Sequence, residues 1–435
     1  MLTHHKLCQP GLHISSSRSP TEYYFVYNGF LPASTTRIWE WDYSSETPPY
    51  FLDFFADFGG VQCIVRPGDC VHLLGFRFKD VEELISILGS LPGFQHVERL
   101  SLEQLYFDTH PSMAGLTNAF RDPRLGRIKE LTVQLFNGPA VEFSTPVLIT
   151  LLAHCCHLKC VHFRGCGVSY SNSGGLTTCE MWKHWLSLSR DKPYAVVKER
   201  GIETISFEGV DCQRTEDVLA FMSAANSPFH IERLRCLSIL CLTDYEKPSP
   251  GLCAFLEQIL IRVRKCLEEI RLCFPLRNDL VALPRLRMLG FYVRKKTEHG
   301  TELLHWATKQ LAKEPMAPSI EVGFVSPVLR WGWQDELRRH NAEDLNALDL
   351  AGLVKRRNNM NQDKYRQVLD LLSSFDGLDG VIASRVAQRM VTDLRIIGPS
   401  RGDSGLDWDE KLRGALFPRS GDKLQLGRVA PSVYH

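Results

Sequence analysis

Apolar positions in the middle of the chain recur in one short arrangement, apolar-x-x-apolar-x-apolar. It reads Val71-x-x-Leu74-x-Phe76, Val97-x-x-Leu100-x-Leu102, Ile128-x-x-Leu131-x-Val133 and Leu158-x-x-Val161-x-Phe163. It continues as Ile202-x-x-Ile205-x-Phe207, Leu234-x-x-Leu237-x-Ile239, Leu267-x-x-Ile270-x-Leu272 and Leu286-x-x-Leu289-x-Phe291, with a looser ninth copy, Ile320-x-Val322-x-Phe324. The central anchors, residues 74, 100, 131, 161, 205, 237, 270, 289 and 322, lie 26, 31, 30, 44, 32, 33, 19 and 33 residues apart. The last two apolar residues of each copy are two apart, so on a strand they share a face, and the first enters from the preceding turn.

Between the copies the apolar period changes to that of a helix. Val81, Leu84, Ile85 and Leu88 show it, as do Val147, Leu148, Leu151 and Leu152. Val218, Leu219 and Met222 repeat it, and so do Leu252, Phe255, Leu256, Ile259 and Val263. Leu91-Pro92-Gly93-Phe94, His154-Cys155-Cys156-His157 and Leu283-Pro284-Arg285 fall just before copies, where a helix must stop. A strand with one covering helix cannot bury its apolar face alone, so neighbouring units must stack. The pattern predicts an α/β fold: a solenoid with a parallel concave sheet and outer helices.

The run Asp80 to Phe94, closing on Val97-Glu98-Arg99-Leu100-Ser101-Leu102, resembles the irregular leucine-rich repeats of F-box-type proteins, fungal F-box-like proteins in particular. The resemblance covers about residues 70–325. It implies a leucine-rich-repeat-like solenoid that binds a target protein, and a three-helix F-box near the N-terminus that would engage a Skp1-type adaptor. The only candidate for that element is Leu31-Pro32-Ala33-Ser34-Thr35. Trp39-Glu40-Trp41-Asp42-Tyr43 and the Pro48-Pro49 pair follow it, and the prolines would break a helix. No F-box is read here.

Four regions are expected. Residues 1–68 form an irregular N-terminal cap with a strand at Tyr23-Tyr24-Phe25-Val26-Tyr27, and residues 69–326 form the solenoid. Residues 327–397 form a helical C-terminal extension, with helical sequence over Asp335–His340, Ala342–Arg357, Gln362–Ser374 and Val381–Arg395. Residues 398–435, rich in Pro, Gly, Ser and charge, read as a disordered tail.

Composition narrows the partners. In 435 residues, 51 Lys and Arg balance 50 Asp and Glu, which argues against a surface built to coat nucleic acid. The longest apolar stretch, near Val147–Cys156, is far shorter than the ~18–20 residues needed to span a bilayer, so no membrane partner is expected. Met1-Leu2-Thr3-His4-His5-Lys6 opens no secretory signal, and Asn-x-Ser/Thr is absent. The 14 scattered Cys often sit in apolar segments, where a thiol acts as a small hydrophobe. An intracellular setting, cytoplasmic or nuclear, is expected.

The densest set of candidate ligands is His154-Cys155-Cys156-His157-x-x-Cys160-x-His162-x-x-x-Cys166, whose residue types suit zinc. No recurring Cys-x-x-Cys pair closes such a site, and the repeat frame turns Cys160 and His162 to the sheet face. Ordinary turn and surface roles are the default, so neither metal nor cofactor is assigned. Gly-x-Ser-x-Gly, His-Glu-x-x-His, Gly-x-Gly-x-x-Gly and phosphate-loop motifs are absent, and the chain is read as a non-enzyme. His72, His184 and His305 read as structural groups. Arg401-Gly402-Asp403 looks like a cell-adhesion tripeptide but reads as a chance occurrence in an intracellular tail. Arg294-Lys295-Lys296 and Lys355-Arg356-Arg357, too short for a nuclear signal, read as a solvated face.

Geometry supplies the functional expectation. Residues alternating with the inward anchors line the concave sheet, where a protein can lie across several repeats. The binding residues expected there are Arg99, Ser101, Thr132, Gln134, His162, Arg164, Ser206, Glu208, Arg271 and Tyr292, among neighbours such as Glu103, Glu130, Cys160 and Glu269. The mixture of both charges with hydroxyls suits a protein partner, with Arg and Tyr as the expected hot spots. The reading is a non-catalytic protein-interaction module similar to the substrate-recognition half of an F-box ubiquitin-ligase receptor. The alternatives are a leucine-rich-repeat regulator or scaffold outside the ubiquitin system, of the GTPase-activator kind, and last a zinc-binding protein.

Overall fold

The structure, a computed structural model, describes residues 11–15, 22–26, 70–135, 145–165, 201–240, 248–324, 362–397 and 416–420, a few short loops and single positions within them excepted. The chain divides into two compact units, residues 1–234 and 235–435. Each is an α/β unit built on a parallel sheet.

The first unit contains β1 (Gly11–Ser15), β2 (Glu22–Val26), β3 (Cys70–Leu74), β4 (Arg77–Phe78), α1 (Val81–Ser90) and β5 (Arg99–Glu103). It continues with β6 (Tyr106–Phe107), α2 (Met113–Arg121), β7 (Glu130–Leu135), α3 (Thr145–His154), β8 (Cys160–Gly165), β9 (Thr204–Glu208) and α4 (Cys212–Ser223). The sheet runs β1-β2-β3-β5-β7-β8-β9, antiparallel between the first two strands and parallel after them. Parallel neighbours need a crossover, which the intervening helices provide. The short strands β4 and β6 pair on their own, with Phe78 and Phe107 stacked 5.9 Å apart.

Register explains the repeat. Val71, Leu100, Leu131, Val161 and Ile205 pair in one row across the sheet, and Leu73, Leu102, Val133, Phe163 and Phe207 in the next. All ten are buried, and Phe163 stacks on Phe207 at 4.9 Å. At ~1.5–3 kcal/mol for each large side chain, these two rows are a principal source of the unit's stability. The first copy is therefore shifted from its sequence frame. Val71 and Leu73 are its inward residues, whereas Leu74 pairs with the polar-face residue Glu103. A continuous Val-His-Leu-Leu run leaves the period of two ambiguous, and only pairing fixes it.

The turn before several of the strands also repeats. Val97, Ile128, Leu158 and Leu234 donate backbone N–H to the carbonyls of Phe94, Leu125, Cys155 and Ile231, three residues back. All eight are buried, so the repeat carries one more apolar position, three before the hexad. The chain then registers on its neighbour through a shared acceptor. The Glu98 carbonyl takes N–H from both Lys129 and Glu130 (2.7 and 3.0 Å). The Lys129 carbonyl takes those of Lys159 and Cys160, and the Lys159 carbonyl those of Glu203 and Thr204. Helix α1 begins with reciprocal capping: Asp80 accepts the Glu83 N–H at 2.9 Å, and Glu83 reaches back to the Lys79 N–H.

The second unit contains β10 (Cys236–Leu240), α5 (Pro250–Val263), β11 (Glu269–Leu272), β12 (Met288–Val293), α6 (Thr297–Lys313), β13 (Ser319–Phe324), α7 (Gln362–Ala387) and β14 (Asp393–Ile397). Its strands are parallel and lie in chain order. Leu237, Ile270, Leu289, Ile320 and Leu394 form one inward row, and Ile239, Leu272, Phe291 and Val322 the next. The ninth copy is thus centred on Ile320, not Val322. Helix α5 starts on Ser249, which accepts the Leu252 N–H at 2.9 Å, with Pro250 behind it.

The C-terminal sequence is organised differently from the sequence expectation. Gln362–Ser374 and the first residues of Val381–Arg395 belong to one continuous helix, α7, and Asp393–Ile397 is a strand that pairs with β13. The two Asp-Gly pairs at 376–377 and 379–380, which resemble turns, lie inside the helix. Gly380 leaves room for Arg419, whose guanidinium would lie 2.9 Å from a Cβ placed there. Arg385 donates to the carbonyls of Leu311 and Ala312 at the end of α6. Within the expected disordered tail, residues 416–420 are seated on α7. Phe417 meets Phe375 edge-on at 5.9 Å, and the buried Asp379 carboxylate accepts the N–H groups of Arg419 and Ser420. The stretch Leu31–Thr35, the helical sequences at 335–340 and 342–357, the basic triplets, Arg401-Gly402-Asp403 and His184 lie outside the described residues.

Candidate functional site

The face of the first unit's sheet opposite the apolar rows carries three polar rows. Arg99, Glu130, Cys160 and Thr204 form the first. Ser101, Thr132, His162 and Ser206 form the second, and Glu103, Gln134, Arg164 and Glu208 the third. Eight of the ten binding residues expected from the sequence are therefore brought onto one surface by register. Rows are spaced ~6.6 Å along the strands and adjacent columns ~4.8 Å apart.

Most members of this face are engaged within it. The buried Ser101 donates to Glu103 at 2.9 Å, and the buried Ser206 to Glu208 at 3.3 Å, each within its own strand. Arg164 faces Glu208 at 3.8 Å. Cys160 is hydrogen-bonded to the Thr204 side chain, and burial pushes its thiol above the ordinary cysteine range. Arg99 and Gln134 are also engaged. Glu130, Thr132 and His162 differ: among the described residues, their side chains make no hydrogen bond or ion pair. Burial holds the His162 imidazole below its ordinary pKa, Glu130 pulls the other way, and Arg164 adds to the drop.

The polar face of the second unit closes on itself. Arg271 lies across Gly290, whose missing Cβ would sit 2.9 Å from the arginine Cγ, and reaches Glu321 two strands away at 2.8 Å. Arg271 also donates to Glu269 at 3.1 Å and to the Cys236 sulfur at 3.7 Å. The Tyr292 ring lies over Gly323, where a Cβ would meet it at 2.4 Å, and its hydroxyl donates to Glu321. Burial works against the Arg271 charge, but Glu321 outweighs it and holds the guanidinium above its ordinary pKa; burial raises the Cys236 thiol to about 12. Ser319 and Arg395 close on Asp393 at the last strand.

Two expected contact residues are accordingly placed otherwise. Tyr292 is fully buried, and Arg271, 20% exposed, is committed to two carboxylates. The glycines at 290 and 323 let both side chains lie flat on the sheet. Glu321 was missed from the sequence, although its alternation with Ile320 and Val322 put it on this face.

The Cys/His run is dispersed over different surroundings. His154, 2% exposed, ends α3 against Glu82 at 3.5 Å and receives the Arg124 N–H at Nδ1. Burial lowers its pKa, and Glu82 opposes the drop. Cys155 is buried in the apolar interior, His157 is exposed, and Cys160 and His162 lie on the polar face. Cys156 and Cys166 lie outside the described residues. Among the described residues, no three His, Cys, Asp or Glu converge on a metal-sized space, and no helix is long and apolar enough to cross a membrane. No protein-family model, curated protein or solved structure matches the chain.

Proposed function

We propose that the chain is a leucine-rich-repeat-like solenoid that performs no catalysis and holds a target protein on the polar face of its first unit. The reading is similar to the substrate-recognition half of an F-box ubiquitin-ligase receptor. The observation that supports it is the register that gathers Arg99, Ser101, Thr132, Gln134, His162, Arg164, Ser206 and Glu208 on one face, opposite two fully apolar rows. Such a face offers rigidly spaced polar groups at little ordering cost on binding. The described cysteines Cys155, Cys160, Cys212, Cys236, Cys253, Cys266 and Cys273 are free, which suits a reducing cytoplasm or nucleus.

The test is a photo-crosslinking amino acid at Thr132, compared with one at Ile261, which is 53% exposed on α5. A discrete adduct from Thr132 alone is the expected result in reduced cell extract. Equal labelling at Ile261, or none at Thr132, removes the face as a binding surface. A Skp1-type adaptor in the same complex supports the ubiquitin-ligase form of the reading. An adduct that persists without any such adaptor favours a regulator or scaffold outside that system.

A further inference from the structure

Within that face, Glu130, Thr132 and His162 stand apart from their neighbours because nothing in the described structure satisfies them. Around them the polar groups are paired: Ser101 with Glu103, Arg164 and Ser206 with Glu208, Cys160 with Thr204. Thr132 and His162 pair directly across β7 and β8, and Glu130 lies one row away beside Cys160. The three side chains thus form one small patch that runs from the first residue of β7 to the centre of β7 and β8, bordered by paired side chains. Energetically important contacts concentrate in such centres, where a rim of neutral pairs excludes water.

The chemistry of the patch selects its occupant. Glu130 brings a carboxylate that can only accept hydrogen bonds, Thr132 a hydroxyl, and neutral His162 an imidazole nitrogen with a free lone pair. The charge of the three together is negative; of the bordering cations, Arg99, opposite Glu130 across β5 and β7, is itself engaged, and Arg164 is turned to Glu208. A group that donates several hydrogen bonds and carries positive charge complements all three; a carboxylate or phosphate would meet Glu130 with like charge.

The geometry points to a basic side chain, the lysine ammonium or arginine guanidinium of a partner protein, seated on Glu130, Thr132 and His162. This assignment rests on the proposed reading of the face as a partner-binding surface. Its occupancy depends on pH. The groups facing His162 are Glu130 on β7, Glu208 on β9 and Arg164 and Cys160 on its own strand. Above its depressed pKa the imidazole accepts from the incoming cation. Below it, the imidazolium repels that cation, so binding weakens as the pH falls.

The experiment selects binders for the full-length chain at pH 7.5 from a random 12-residue peptide library, then measures the selected peptides one by one. The expected binders carry a Lys or Arg whose replacement by Gln weakens binding at least tenfold. Glu130→Gln and His162→Arg in the protein should each cause a similar loss, and binding should weaken progressively as the pH is lowered from 7.5. Circular dichroism melts of both variants, unchanged, confirm that folding is not the cause. Binders that lose affinity with Arg164→Ala but ignore Glu130→Gln and His162→Arg overturn the basic seat and leave the face reading intact. A selection that yields no peptide sensitive to any of these substitutions overturns both.

Discussion

The polar faces of the two units solve the same problem in opposite ways. A parallel sheet with one apolar face must do something with the other. In the first unit the side chains stand in rows, pair with near neighbours and leave Glu130, Thr132 and His162 unengaged. In the second, glycines at 290 and 323 remove two positions, and Arg271 and Tyr292 occupy the space, meeting at the buried Glu321. A glycine in a strand ordinarily weakens it, because it has no side chain to pack. Here each is filled by a larger neighbour lying flat. The lesson is that alternation decides which face a residue occupies, and the residues on adjoining strands decide whether it can be reached.

That contrast can be broken at several points. The largest effect is expected from Leu131→Asp, which puts an unpaired carboxylate in the central apolar row of the first unit. A loss of more than about 4 kcal/mol, enough to unfold the unit, is expected in urea unfolding followed by circular dichroism. Next, Glu321→Ala leaves Arg271 without its closer carboxylate in the second unit, at a cost of about 3 kcal/mol. Gly323→Ala forces the buried Tyr292 ring to move, for about 1–3 kcal/mol. Arg164→Ala in the first unit, by contrast, should change stability by less than about 0.5 kcal/mol, since its guanidinium is a third exposed and 3.8 Å from Glu208. A large drop in its thermal midpoint would mean that the first unit's face is as self-supporting as the second's.

The smallest expected effect is a pH dependence. Above pH 6.5 both the folded and the unfolded chain hold His162 neutral. Below it the unfolded chain takes the proton first, because burial depresses the folded pKa, so stability declines until the folded imidazole is protonated too. His154 acts in the same direction. Urea midpoints at pH 7.5 and 5.5 should therefore diverge less in His162→Gln than in the unmodified chain; an equal divergence would show that His162 titrates normally.

What the sequence made legible follows from where periodicity is unambiguous. The anchors from Leu100 to Ile270 alternate mostly with polar residues, and their strands and faces agree with the pairing. Val71 and Ile320 sit in runs where apolar residues continue, and there the frame slipped by three and by two positions. Leu394-x-Ile396 escaped notice because Asp393 and Arg395 alternate with it in sequence that otherwise continues a helix. The eight face residues of the first unit were readable as a set, since one strand period puts them together. The burial of Tyr292 was not readable, because it depends on a glycine one strand away and 31 residues later.

The pairing of β14 with β13 sets a schedule for synthesis. Ser319 aligns with Asp393, 74 residues further along the chain, so β13 is made long before its outer partner. At ~5–20 residues per second, its outer edge spends roughly 4–15 s as the growing margin of a nascent sheet. An open strand edge is a template for any other extended chain. Helix α7, made in that interval, folds against α6, with Arg385 clasping the end of that helix only a few residues before β14 begins. Among the described elements, α7 is the one that delivers the closing strand, and a ribosome that pauses within it holds the edge open for longer.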